Sequence, residues 1–249
     1  MLAAGIFFIV ALILVTADTA QLTNLFIVGG NDVTERKWLH QASIRYRPSP
    51  DYYFNHLCGA SLFKEDWLLT AAHCVAFSAN PDNFQVILGE YDTSVDSGDE
   101  QKIFVSGIYV HPKFVETSGY PFDIALVKLS QKAQVTPAVV PIALPENSTE
   151  TFVNRECWVL GWGLTDSAAS VIPNVLQEAN ITAITNEECA DRWSFIEILE
   201  SHLCVYKLAS SPCNGDSGGS LACRDGNDTW RPWEKPYHSD NLGHTFDIV

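Results

Sequence analysis

Near the end of the chain stands Gly215-Asp216-Ser217-Gly218-Gly219, a serine in a glycine-rich setting. The string fits G-x-S-x-G, a turn that can expose a nucleophilic hydroxyl. An alcohol is a weak nucleophile at neutral pH and needs a base within hydrogen-bond reach, which histidine can supply. The histidine in turn needs a group that holds its tautomer and stabilises its charged form, and a carboxylate does both. Two supplies exist. Upstream lie Leu69-Thr70-Ala71-Ala72-His73-Cys74 and Phe122-Asp123-Ile124-Ala125-Leu126; downstream lie His238 and His244, in an aperiodic tail. The downstream order is that of an α/β-hydrolase, which needs a helix after the serine. The segment that follows, GGSLACRDGND, is a poor helix former. Each residue taken singly also has a plainer reading, His73 as a structural histidine and Asp123 as a turn cap.

The elements that would position these groups read as strands. QASIRYR, CGASLF, WLLTAAHC, FQVILGEY, KIFVSGIYV, DIALVKL, CWVLGWG and LQEANITAI recur between clusters of Gly, Pro, Asn and Asp. Many alternate in polarity or carry Val, Ile, Thr and aromatic residues, the pattern of antiparallel strands in a sandwich or barrel. No βαβ spacing, repeat or low-complexity tract interrupts them. One short helix is predicted at 186–193, with Asn186 as N-cap and Glu187 and Glu188 in its first turn.

The length of 249 residues allows one large all-β domain or two small ones. With 47% hydrophobic and 18% charged residues the chain can build a core. A formal net charge of −15 argues against nucleic acid and anionic membrane surfaces as partners. The apolar run within MLAAGIFFIVALILVTADTA is short for a bilayer span and is followed by the small-x-small string Val15-Thr16-Ala17. Residues 1–17 therefore read as a secretory signal peptide, with Ala20 as a second cleavage point and a membrane anchor as the alternative. Seven cysteines suit a disulfide framework in an oxidising compartment, with one thiol left over. Sequons at Asn147, Asn180 and Asn227 are compatible with secretion.

Five strings now line up: Ile27-Val28-Gly29-Gly30, TAAHC at 70–74, DIALVKL at 123–129, CWVLGWG at 157–163 and GDSGG at 215–219. In this order and at this approximate spacing, over Ile27 to Trp230, the chain resembles a chymotrypsin-family serine protease of chymotrypsin- or elastase-like type. The resemblance implies an all-β fold of two antiparallel six-stranded barrels, the second incomplete at its C-terminal end. His73 and Asp123 would come from the first barrel and Ser217 from the second, with the site in the cleft between them. His73 would be the general base, Asp123 its orienting carboxylate and Ser217 the nucleophile. The backbone N–H groups of Gly215 and Ser217 would form the oxyanion hole. Residues 18–26 would be a short propeptide. Cleavage before Ile27 would free an ammonium that pairs with Asp216, and this ion pair would fade at alkaline pH as the amine loses its proton. Phe26 precedes that bond where most relatives carry Lys or Arg, so the activating protease is expected to be chymotrypsin-like, or the protein itself.

The resemblance also implies the pairs Cys58–Cys74, Cys157–Cys223 and Cys189–Cys204, leaving Cys213 without its usual partner. Ser211 matches the base of the primary specificity pocket. A serine there cannot pair Lys or Arg, so an apolar substrate side chain is expected. Glu90 and Glu100 match carboxylate positions of the family's calcium loop, and hard oxygen ligands suit Ca²⁺; a solvated acidic loop is the competing reading. No cofactor is required. The implied partners are protein substrates, an activating protease and protein inhibitors, with no membrane contact once the signal is removed. After Trp230 the segment 231–249 departs from the family pattern, and Pro232 and Pro236 argue against a central strand there. Two functions compete: a secreted serine endopeptidase made as a zymogen, and a catalytically impaired relative, a binding decoy or truncated variant that lacks the pocket wall.

Overall fold

The computed structural model describes residues 30–116, 119–144, 152–164, 172–193, 197–207, 214–224 and 229–232. Six strands close a barrel in its first half. They are β2 (Gln41–Tyr46), β3 (Asn55–Lys64), β4 (Trp67–Thr70), β5 (Phe84–Leu88), β6 (Gln101–Val110) and β7 (Ala125–Leu129). The spatial order is β2-β3-β4-β7-β6-β5, antiparallel throughout. Alternation is plainest in β7 and the first half of β6. In β7 the residues Ala125, Val127 and Leu129 are buried while Leu126 and Lys128 are not. In β6, Ile103 and Val105 turn inward and Lys102 and Phe104 outward. Together with Ile44, Leu62, Leu68, Phe84, Val86 and Leu88 they fill one core, because a period of two sends every second side chain to the same face.

The second half is a six-stranded sheet. It runs β1 (Asn31–Asp32), β9 (Gln177–Ile184), β8 (Glu156–Gly161), β11 (Leu221–Arg224) and β12 (Trp230–Pro232), with β10 (Cys204–Tyr206) also on β9. The segments expected as strands are strands. The tail is a partial correction, since pairing extends past Trp230, with Arg231 opposite Cys223 and Pro232 opposite Ala222. Proline is tolerated here because β12 is the outermost strand of the described sheet. The helix α1 covers Asn186–Arg192. Its cap is Thr185, not Asn186: the Thr185 hydroxyl accepts the Glu188 N–H at 3.1 Å. The Asn186 amide instead donates to the Leu199 carbonyl. Three disulfides form, Cys58–Cys74, Cys157–Cys223 and Cys189–Cys204. The signal segment, Ile27, Asn147, Ser211, Cys213, Asn227 and the tail from 233 lie outside the described residues. Asn180 sits inside β9, its amide already bonded to the Cys157 carbonyl and the Lys207 ammonium.

The two halves meet at a seam with no room for side chains. A Cβ on Gly59 would fall 2.5 Å from the Gly219 Cα. Beside it, His40 pairs with the Ser220 hydroxyl at 2.9 Å, and the Gln41 side-chain Oε1 accepts the Ser220 N–H at 3.2 Å. Burial pushes the His40 imidazole down from 6.5 to about 4. Between those values the unfolded chain binds a proton that the folded one refuses, so stability rises with pH. We expect stability to hold above pH 6.5 and to fall by roughly 3 kcal/mol as the pH drops towards 4. Urea titrations from pH 4 to 8 check this, and His40→Gln should flatten the acid limb.

Candidate active site

The register of two strands brings the histidine to the aspartate. β4 and β7 pair antiparallel, ending with Thr70 opposite Ala125. His73 lies three residues beyond Thr70, and Asp123 two residues before Ala125. Past Thr70 the chain stays extended at Ala71 and then tightens into a 3₁₀ turn, Ala72–Cys74, that lifts His73 out of the sheet. Ala71, Ala72 and Cys74 are buried, and the bond from Cys74 to Cys58 on β3 fastens the turn. His73 is left partly exposed, its side chain 31% accessible, against none for Asp123. The Asp123 carboxylate is held twice. One oxygen accepts the His73 backbone N–H at 2.7 Å, and the other pairs with His73 Nδ1 at 2.5 Å. A sealed carboxylate tolerates this position only when its lone pairs are met. With Nδ1 committed to Asp123, the second ring nitrogen, Nε2, lies 3.6 Å from Cys74 Sγ. The Tyr120 ring lies 5.5 Å from the imidazole, centre to centre.

The serine sits on the turn that precedes β11. Gly215 takes a φ of +99°, a left-handed conformation that suits glycine. Asp216 is buried, and one of its carboxylate oxygens accepts the Gly163 N–H at 2.8 Å. The Ser217 carbonyl accepts the Gly59 N–H at 2.8 Å. Gly218 packs so tightly that a Cβ there would lie 2.3 Å from Thr70 Oγ1 and 3.0 Å from the Ala71 nitrogen. The turn carrying Ser217 is thus seated on the end of β4, immediately ahead of His73.

The structure therefore joins His73 to Asp123, and sets Gly215, Asp216 and Ser217 in one turn against the segment that leads to His73. Ile27 and Ser211 lie outside the described residues. Sequence reasoning missed His56. Its Nδ1 accepts from the Ser43 hydroxyl at 2.8 Å, and its Nε2–H donates to the Gly215 carbonyl at 3.1 Å. Those partners select the neutral Nε2–H tautomer, and burial lowers its pKa in the same sense. A lone histidine in a strand carries no periodic signal, so only contacts reveal it. Tyr120 and Gly163 were missed for the same reason.

The proposed calcium carboxylates have other partners. Glu90 is ion-paired to Arg45 and its carboxyl is raised, chiefly by burial. Its Oε2 is buried with no hydrogen-bond partner among the described residues. Burial pushes Glu100 up, but the Ser97 N–H and hydroxyl and the Gly98 N–H outweigh it and hold the group at about 2. Elsewhere among the described residues, Cys58, His73 and Cys74 are the one three-residue group with ligand atoms close together. Both sulfurs there are spent in a disulfide.

A closed antiparallel barrel beside a second six-stranded sheet, with a His–Asp pair on one and a G-D-S-G-G turn from the other packed against it, defines a serine-peptidase architecture. Comparison with known proteins makes the assignment specific. The family model described as Trypsin matches residues 27–231. Chymotrypsin-like elastase family member 3B of Homo sapiens is 35% identical over 210 residues, 82% of this chain and 75% of the relative. Proproteinase E of Bos taurus is 35% identical over 209 residues, 82% of this chain and 80% of the relative. Trypsin-1 of Astacus astacus is 36% identical over 208 residues, 82% of this chain and 85% of the relative. The chain belongs to the trypsin family, the chymotrypsin-fold serine proteases, and is by that membership a serine-type endopeptidase. Losing the His56 tie should let the Gly215 carbonyl drift. We expect His56→Ala to lower kcat/KM on a peptide substrate by roughly tenfold, while Ser43→Ala costs less. Steady-state kinetics of the two variants checks the ranking.

Proposed function

We propose that the chain is a secreted zymogen that, once cut before Ile27, hydrolyses peptide bonds in proteins by acyl transfer through Ser217. His73 takes the Ser217 proton as the hydroxyl attacks the carbonyl, then gives it to the leaving amine; water repeats the cycle on the acyl-enzyme. Asp123 holds the imidazole and stabilises its charged form. The N–H groups of Gly215 and Ser217 would stabilise the oxyanion. The observation that carries this reading is the doubly held, fully buried Asp123 carboxylate on His73. So costly a burial is compensated by its two partners.

Activation would work through Asp216. Its buried carboxylate at the Gly163 N–H offers a partner for a new Ile27 ammonium, and that pair would set the turn from 214 to 217. The bovine relative's name, proproteinase E, supports a proenzyme, and Phe26 points to a chymotrypsin-like activator or to self-cleavage. Ser211 and the elastase relatives support an apolar residue at the cleaved bond. Three disulfides support an oxidising, extracellular compartment. Among the described residues no helix is long and apolar enough to cross a membrane. Protein inhibitors would bind the same cleft.

The second reading, an impaired protease-like decoy, draws on the tail. The family match stops at residue 231, and the described second sheet ends at the proline-bearing strand β12, where the first barrel is closed. Labelling with a fluorophosphonate probe separates the two. Protein cleaved after Phe26 should label, uncleaved protein should label far more slowly, and Ser217→Ala should abolish labelling. Folded, cleaved protein that does not label is the decoy.

We also propose a structural calcium at the 90–100 loop, held by Glu90 and Glu100. The orphaned, buried Glu90 Oε2 supports it, and the ion would supply charge neutralisation in the loop beside Arg45. Millimolar Ca²⁺ should raise Tm of the wild type by a few degrees and leave Glu100→Gln unmoved; calorimetry without any heat of binding would remove the ion from this account.

A further inference from the structure

We propose that His202 is a positioning residue of the second sheet that clamps the loop 119–122 of the first barrel, and thereby holds Tyr120 over the catalytic imidazole. This rests on the protease reading for its kinetic consequence. His202 is 1% exposed and lies between buried Ser201 and Leu203, just ahead of β10. Cys204, the next residue but one, is bonded to Cys189 on α1, so the backbone that carries the imidazole is anchored. Its Nδ1 accepts the Leu199 N–H at 2.7 Å. That leaves Nε2–H as the donor, and it reaches the Gly119 carbonyl at 2.7 Å, across 83 residues of chain.

What it holds is strained. Tyr120 has a φ of +39° and Phe122 a φ of +60°, left-handed values for two bulky residues within three positions. Such conformers persist where surroundings over-determine them, and they cluster at functional sites. The far end of the loop is secured by Phe122 stacked on His111 at 5.1 Å and by the Ile124 N–H on the Phe122 carbonyl at 2.8 Å. The near end is gripped by His202. Between the two grips Tyr120 is 41% exposed and 5.5 Å from His73, and Asp123 follows one residue after Phe122. A residue neighbouring the scissile bond would meet Tyr120 first. The clamp therefore sets the wall beside the imidazole without touching substrate.

Two conservative variants separate the clamp from a local role. Asn places its oxygen where Nδ1 accepts the Leu199 N–H but cannot reach Gly119; Gln places its nitrogen near Nε2 and can donate to Gly119. We expect His202→Asn to raise KM for an extended peptide roughly five- to tenfold, with little change for a single-residue ester, and His202→Gln to recover most of that loss. Amide hydrogen exchange at Gly119, Tyr120 and Phe122 should quicken by a similar factor in His202→Asn and not in His202→Gln. His202→Asn with wild-type KM and exchange, or His202→Gln as impaired as His202→Asn, overturns the proposal. If wild-type protein hydrolyses nothing, the protease reading fails, and the exchange comparison still decides the clamp.

Discussion

A carboxylate with no access to water is among the costlier things a protein can build, and Asp123 is one. Its two bonds to His73, one from the backbone and one from the ring, repay that desolvation and in doing so orient the imidazole. Both bonds require β4 and β7 to lie side by side in one register, with Thr70 opposite Ala125. A slip of one residue would turn Leu68 and Val127 out of the core and part His73 from Asp123 together. The packing of the first barrel and the orientation of His73 are thus the same constraint.

The second sheet adds its share through backbone contacts. Gly59 on β3 donates to the Ser217 carbonyl, and Gly218 lies against Thr70, so the seam between the halves and the seat of the serine coincide. Buried His40 and half-buried His56, both with lowered pKa, lock opposite sides of this turn, one through Ser220 and one through Gly215. A neutral imidazole suits the His56 place, where Nδ1 accepts from Ser43 and Nε2–H donates to Gly215. His202 makes a further tie, its Nε2–H donating to the Gly119 carbonyl. Among the described residues, His40, His56, His73 and His202 each join parts of the chain distant in sequence.

Local chemistry made much of this legible beforehand. Period-two alternation in DIALVKL and KIFVSGIYV marked strands because burial of one face imposes it. TAAHC, DIALVKL and GDSGG pointed to the family, which the Trypsin model's match to residues 27–231 bears out. The helix at 186 was legible too, though its cap was misplaced by one residue: Thr185 and Asn186 are both good caps, and the choice turned on Asn186 being drawn away to Leu199. Pro232 announced a strand unfit for the middle of a sheet, and β12 lies outermost in what is described.

By itself the sequence determined the kind of elements and the family in which its five strings occur together. These follow from side-chain chemistry and short-range periodicity, which are written in neighbouring letters. The tertiary structure alone decided that His56 grips Gly215, that Tyr120 covers His73, that Arg45 sits on Glu90, and that His202 spans the cleft to Gly119. Each joins residues separated by 45 or more positions along the chain. A hydrogen bond at such range depends on where whole sheets come to rest, and no single letter or local pattern carries that information.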